Sequence, residues 1–177
     1  MVKLWKLALV GAVASAASGQ ALAQSAPRHS PEYGPMAGDS EFFIAGSGGS
    51  SKNFDNNTFG GTASYGQYFT DNVLLSARQS LGFGFVDNGT DTWNGSSVVG
   101  VDYVFGSGRF RPFVGVFVGA VYGKNVDFDG VAGAEGGLKY YANKTTFVQL
   151  AASYGPTFTD GFSDGNFQYT LGMGLNF

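Results

Sequence analysis

The chain has 177 residues, the size of one domain, and no cysteine, which excludes disulfides, thiolate metal sites and cysteine nucleophiles. Charged residues make up 13% and aromatics 16%, and that charge is half the roughly 25% with which a soluble domain covers its surface. The formal net charge is −3, which argues against nucleic acid as a partner.

Residues 1–23 read as a secretory signal peptide. Lys3 and Lys6 give a positive start, Leu7 to Ala17 is a short apolar core, and Ala21-Leu22-Ala23 fits a small-x-small cleavage site before Gln24. The core is too short for a membrane-spanning helix, which needs about 20 residues. Removing Lys3 and Lys6 from the 10 basic residues leaves 8 against 13 acidic, a mature charge near −5. Residues 24–39 hold three of the prolines and the only histidine, His29, with no periodicity, and are expected to be a flexible periplasmic lead-in.

From Ser40 onward the chain reads as strands separated by turns. The strands are expected over about 41–48, 59–69, 73–86, 93–105, 111–122, 131–141, 145–154 and 166–177. Large apolar residues recur at every second position. In the last strand Phe167, Tyr169, Leu171, Met173, Leu175 and Phe177 share one face, with small or polar residues between them. The charged strand residues Glu41, Arg78, Asp102, Glu135 and Lys139 fall at the opposite parity. A basic residue facing lipid at mid-depth costs about 2–4 kcal/mol, so this exclusion suits a membrane barrel. A soluble β-sandwich also alternates, but its solvent face is rich in charge, whereas here that face is mostly Gly, Ser, Thr and Val. Gln79 breaks the rule by falling on the apolar face, which suggests a bulge, a register error or a tolerated cost.

Three connections (70–72, 106–109, 142–144) read as tight turns, and the other four (49–58, 87–92, 123–130, 155–165) as mostly longer loops. Membrane barrels have short periplasmic turns and longer external loops, and an even strand number places both termini in the periplasm. Aromatics cluster at both strand ends, as in the girdles that flank an apolar band.

The abrupt aromatic finish at Phe177 resembles the last strand of bacterial outer-membrane barrels. The run Arg111-Pro112-Phe113-Val114-Gly115-Val116-Phe117-Val118-Gly119 is similar to a strand of the small barrels of the OmpA-transmembrane, OmpX and opacity-protein type. Gly137-Leu138-Lys139-Tyr140-Tyr141, followed by a short polar turn, resembles their sixth strand. The resemblance covers about 40–177. It implies an all-β fold, an eight-stranded antiparallel up-and-down transmembrane β-barrel in a Gram-negative outer membrane. It also implies that Phe177 helps the barrel-assembly machinery recognise its client. Ser76 stands where family members often carry a glutamate. No peptidoglycan-binding domain follows the barrel, so that anchoring role is not expected.

Eight strands leave an interior only wide enough for side chains. Glu41, Arg78, Asp102, Glu135 and Lys139 are therefore expected to pair as an internal plug. Gly82, Gly84 and Gly100 leave space for the alternative, a gated path in a narrow porin. Catalysis is not expected, because a Ser-His-acid site needs a histidine and His29 lies in the lead-in. No cofactor and no specific metal site is expected. The acidic loops (Asp55, Asp87, Asp91, Asp127, Asp129, Asp160, Asp164) read as a solvated face, with cation bridging to lipopolysaccharide as the alternative, and Asn125 to Gly130 lacks the EF-hand loop length and terminal Glu. The expected partners are outer-membrane lipid and lipopolysaccharide. The expected role is non-enzymatic, in envelope integrity or surface contact. Besides the porin, an adhesin-type barrel using Phe158 and Phe162 is a further alternative.

Overall fold

The computed structural model describes residues 32–50, 56–86, 91–124, 126–159 and 165–177. The expected signal peptide, His29, Lys52, Asp55, Asp87, Asp160, Phe162 and Asp164 lie outside them. Eight strands form a closed antiparallel barrel in sequence order: β1 (Ser40–Ser50), β2 (Asn56–Tyr68), β3 (Val73–Val86), β4 (Thr92–Val104), β5 (Phe110–Gly123), β6 (Val126–Tyr141), β7 (Thr146–Gly155) and β8 (Asn166–Asn176).

The period-two pattern fixes the register. Phe42 pairs with Tyr65 and with Leu175, and Ile44 with Ala63 and with Met173, so outward apolar residues meet outward apolar residues around the wall. Val114, Val116 and Val118 are each more than half exposed on that outer face. The inner face carries Glu41, Ser76, Asp102, Glu135, Lys139 and Gln149, all buried. Apolar-out and polar-in is the reverse of a water-soluble barrel.

The start of β1 and the end of β8 lie at one end, the near end, with the connections 69–72, 105–109 and 142–145. The far end carries 51–55, 87–91, 124–125 and 156–165. One expected long loop is corrected. β6 begins at Val126 rather than near 131, so only Lys124 and Asn125 separate it from β5. A register shift between Val121 and Gly123 absorbs the mismatch. The Asp129 carboxylate accepts the backbone N–H groups of Gly130 at 2.7 Å and Thr159 at 3.1 Å, and Thr157 bridges Val131. Asp129 thus ties β6 to the start of the β7–β8 connection.

Gln79 sits in an unbroken ladder, opposite Ala63 and Ser97, which removes the bulge and the register error as explanations. Its amide donates to the Tyr122 hydroxyl at 2.7 Å and to the Ser80 carbonyl at 3.1 Å. Its carbonyl accepts from the Ser97 hydroxyl at 2.6 Å. The outward polar group is consumed by its neighbours on β4 and β5, so little of its polarity reaches the surroundings.

The last eight residues of the expected lead-in fold against the near end. Gly34 and Gly38 donate backbone N–H groups to the carbonyls of Lys144 and Tyr68, at 3.0 and 2.7 Å. Ala37 N–H reaches Asp71 Oδ1 at 2.8 Å, and Arg109 donates to the Tyr33 hydroxyl at 2.7 Å with its guanidinium 4.7 Å from the ring centre. Pro35 is fully buried. Pro35, Gly34 and Gly38, which read as flexible chain, belong to a strap across the barrel mouth from Tyr33 to Asp39.

Candidate functional site: the barrel interior

Two ion pairs join distant strands through the interior. Lys139 Nζ on β6 lies 2.6 Å from both carboxylate oxygens of Glu41 on β1. Arg78 Nη2 on β3 lies 2.6 Å from Glu135 Oε1 on β6. The small residues at the inward positions of β5 and β6 make room for them. A Cβ on Gly115, for instance, would collide with the carboxylate of Asp102.

Glu41 is satisfied on several sides. Besides Lys139, it accepts from the Tyr68 hydroxyl at 2.9 Å and the Asn176 amide at 3.2 Å, and Asn176 accepts from the Tyr141 hydroxyl at 2.8 Å. Lys139 sits among the rings of Phe147, Tyr68 and Phe113, at 4.8, 5.7 and 5.7 Å from their centres. Ring faces carry negative charge and complement the ammonium. A buried charge is tolerable only when its partners replace its water, and here they do.

All five sequence-predicted interior residues point inward, but only four of them pair. Asp102 is buried, and its Oδ1 has no hydrogen-bond partner among the described residues. The alternation also missed Arg111, which is 2% exposed on the inner face of β5 opposite Lys139. It brings the interior to three formal cations and three formal anions. Its Nη2 donates to the Asp71 carbonyl at 3.2 Å, while Nε and Nη1 have no hydrogen-bond partner among the described residues. A Cβ on Gly34 of the strap would collide with that guanidinium, and Gly34 has φ +86°. Ser76, at the position where the resembled family often has glutamate, faces Gly66 and Gly100.

The two halves of the interior differ. The near half is packed by two apolar clusters, Phe43, Tyr141 and Phe147, and Tyr68, Leu74, Val104, Phe113 and Ala151. The expected mostly small inner face is corrected here, because aromatic doublets such as Phe42-Phe43 and Tyr140-Tyr141 send one ring outward and one inward. The far half holds a cavity of about 550 Å³ lined by Arg78, Ser80, Asn94, Ser96, Ser153 and Gln168, among others. Phe177 closes the wall, exchanging backbone hydrogen bonds with Ser40 at 2.8 and 3.0 Å, and its ring lies 6.5 Å from that of Tyr65.

No protein-family model matches the chain, and no curated protein sequence does. Solved structures do match in fold. The N-terminal β-barrel domain of Pseudomonas aeruginosa OprF aligns with TM-score 0.57 and 22% identity, covering 81% of this chain and 100% of that one. The outer membrane protein OprG from Pseudomonas aeruginosa aligns with TM-score 0.56 and 13% identity, covering 81% and 98%. The Yersinia pestis outer membrane protein Ail aligns with TM-score 0.55 and 18% identity, covering 79% and 99%. The chain therefore has the fold of the small eight-stranded outer-membrane β-barrels.

Proposed function

We propose that the chain is an integral outer-membrane barrel with no conducting path and no enzymatic activity. It acts through its wall and its far-end surface, in envelope integrity or surface contact. The observation that carries this reading is the filled near half: the Lys139–Glu41 pair, two apolar clusters and the strap beneath them occupy the cross-section. The belt of exposed outward side chains, from Ile44 to Leu171, supports immersion in lipid, since apolar patches on soluble monomers rarely exceed about 300–600 Å². The charge-poor sequence, the expected signal peptide and the fold shared with OprF, OprG and Ail agree with export to the outer membrane. The short near-end connections support a periplasmic near end. By the same resemblance, Phe177 is the residue offered to the barrel-assembly machinery.

The test is single-channel conductance of the mature chain in a planar bilayer, with insertion checked independently. Silence is the expected result. Reproducible steps that shift when Arg78 or Glu135 is neutralised would overturn it in favour of a narrow porin.

A further inference from the structure

The cavity in the far half has two facing walls of neutral polar side chains. Asn94 and Ser96 line it from β4, and Ser153 and Gln168 from β7 and β8. β4 and β8 stand four strands apart in a ring of eight, so the two sets face each other across the lumen. Other inward hydroxyls are used up within the wall, as where Ser80 and Thr62 bond each other at 2.8 Å. These four side chains are not, for none of them has a hydrogen-bond partner among the described residues. Asn94 and Gln168 are exposed and Ser96 and Ser153 half-buried, so the cavity is reached by water. Hydroxyls and carboxamides both donate and accept, and all four present that capacity to whatever fills the space.

An aromatic ring lies between the two walls. Phe117 of β5 borders the cavity, and its ring is laid along the inner wall across two glycines. A Cβ on Gly133 of β6 would meet the ring at 2.6 Å, and one on Gly155 of β7 at 3.0 Å. A side chain at either position would push the ring off the wall and into the space. Towards the near end the cavity is bounded by Arg78. Among the described residues that line it, only Arg78 carries charge, and Glu135 at 2.6 Å balances that charge. The lining is therefore electrically neutral overall, and its volume of about 550 Å³ falls within the range of small-molecule sites.

We propose that this far-end cavity is a binding site for a neutral sugar of one or two pyranose rings. A pyranose carries hydroxyls around its whole rim, so it reaches Asn94 and Ser96 on one wall and Ser153 and Gln168 on the other at once. Each hydroxyl donates and accepts, as the four side chains do. The C–H face of the sugar packs on the Phe117 ring, an apolar surface beside polar walls. A flat heteroaromatic ligand bonds along its edges in one plane and suits the ring but not two opposed walls. An anion gains little, because Glu135 already holds the guanidinium. This inference rests on the membrane-barrel reading above, not on the barrel's silence as a channel.

The test uses the mature chain in lipid nanodiscs, with methyl glucoside, maltose and lactose as probes and methyl glucuronide as the anionic comparison. Binding is read by saturation-transfer difference NMR against empty nanodiscs. At least one neutral probe is expected to bind saturably, with a Kd of about 1–10 mM. Its strongest signals are expected from the C–H protons of one ring face. Asn94→Ala with Gln168→Ala takes one group from each wall at exposed positions, and is expected to weaken binding at least about tenfold. Phe117→Leu keeps an apolar side chain but removes the ring. It is expected to weaken binding several-fold and to even out the signals of the two sugar faces. Gel mobility of unheated samples shows that each variant is folded. Three findings would each overturn the proposal: no saturable signal from any neutral probe, binding unchanged in the double variant, or a glucuronide bound tenfold more tightly than the glucoside. A chain that inserts and stays silent but binds no sugar sinks this inference alone. One that conducts sinks only the closed-barrel reading.

Discussion

Lys139 and Glu41, 98 residues apart in the chain, meet with the lysine nitrogen 2.6 Å from each carboxylate oxygen. Both side chains are sealed from solvent. Removing only the cation leaves a lone carboxylate in the barrel. Lys139→Met is therefore expected to destabilise the refolded barrel by about 3–5 kcal/mol, and adding Glu41→Gln to recover most of that loss. Urea unfolding followed by gel mobility of unheated samples measures both.

Arg111 lies against Gly34, a residue at positive φ in the strap. Gly34→Ala adds a left-handed penalty of about 1–2 kcal/mol and a collision with the guanidinium. The strap is expected to detach while the barrel stays closed. Limited proteolysis from the near end should then cut between Tyr33 and Asp39 at least several-fold faster than in wild type. Equal cutting rates would show that the strap does not depend on this contact.

Tyr122 and Gln79 predict an asymmetry. Tyr122→Phe takes away the acceptor 2.7 Å from the Gln79 amide and is expected to cost about 1–2 kcal/mol. Gln79→Leu removes the polar side chain itself and leaves Ser97 and Tyr122 3.1 Å apart, able to bond each other. It is expected to be neutral within about 0.5 kcal/mol, or stabilising. Parallel urea titrations of the two variants in the same lipid decide this.

Phe177 separates assembly from stability. Its ring is largely exposed on the outward face, so Phe177→Ala is expected to change the stability of the refolded barrel by no more than about 1 kcal/mol. Its yield in cells is expected to fall several-fold. Normal cellular yield would remove the assembly role.

The outward face was legible because lipid punishes charge, so the alternation from Phe42 to Phe177 carries few exceptions. The eight strands and the inward parity of Glu41, Arg78, Asp102, Glu135 and Lys139 follow from that one pattern. Arg111 escaped it because it stands at a strand start beside Pro112, where a basic residue reads as an edge. The inward rings of Phe43, Tyr68 and Tyr141 escaped it because each adjoins an outward aromatic, and a doublet has no parity of its own. The strap was hidden by composition. Gly34 and Gly38 read as loose chain, while they are held against Arg111, Lys144 and Tyr68, contacts that no local pattern contains. Asp129, read as a loop acid, belongs to a strand held by hydrogen bonds to residues up to 30 positions away.

β6 supplies one partner to each ion pair, Glu135 to β3 and Lys139 to β1. Neighbour pairing of backbones cannot by itself distinguish a complete ring from one missing a hairpin, since any two strands of this alternation can zip together. The charges can. A ring closed with a strand too few or too many would shift β1 and β3 away from β6 and strand two cations and two anions in a low-dielectric core. The ion pairs thus favour the eight-strand ring over a miscounted one by the cost of unpaired buried charge.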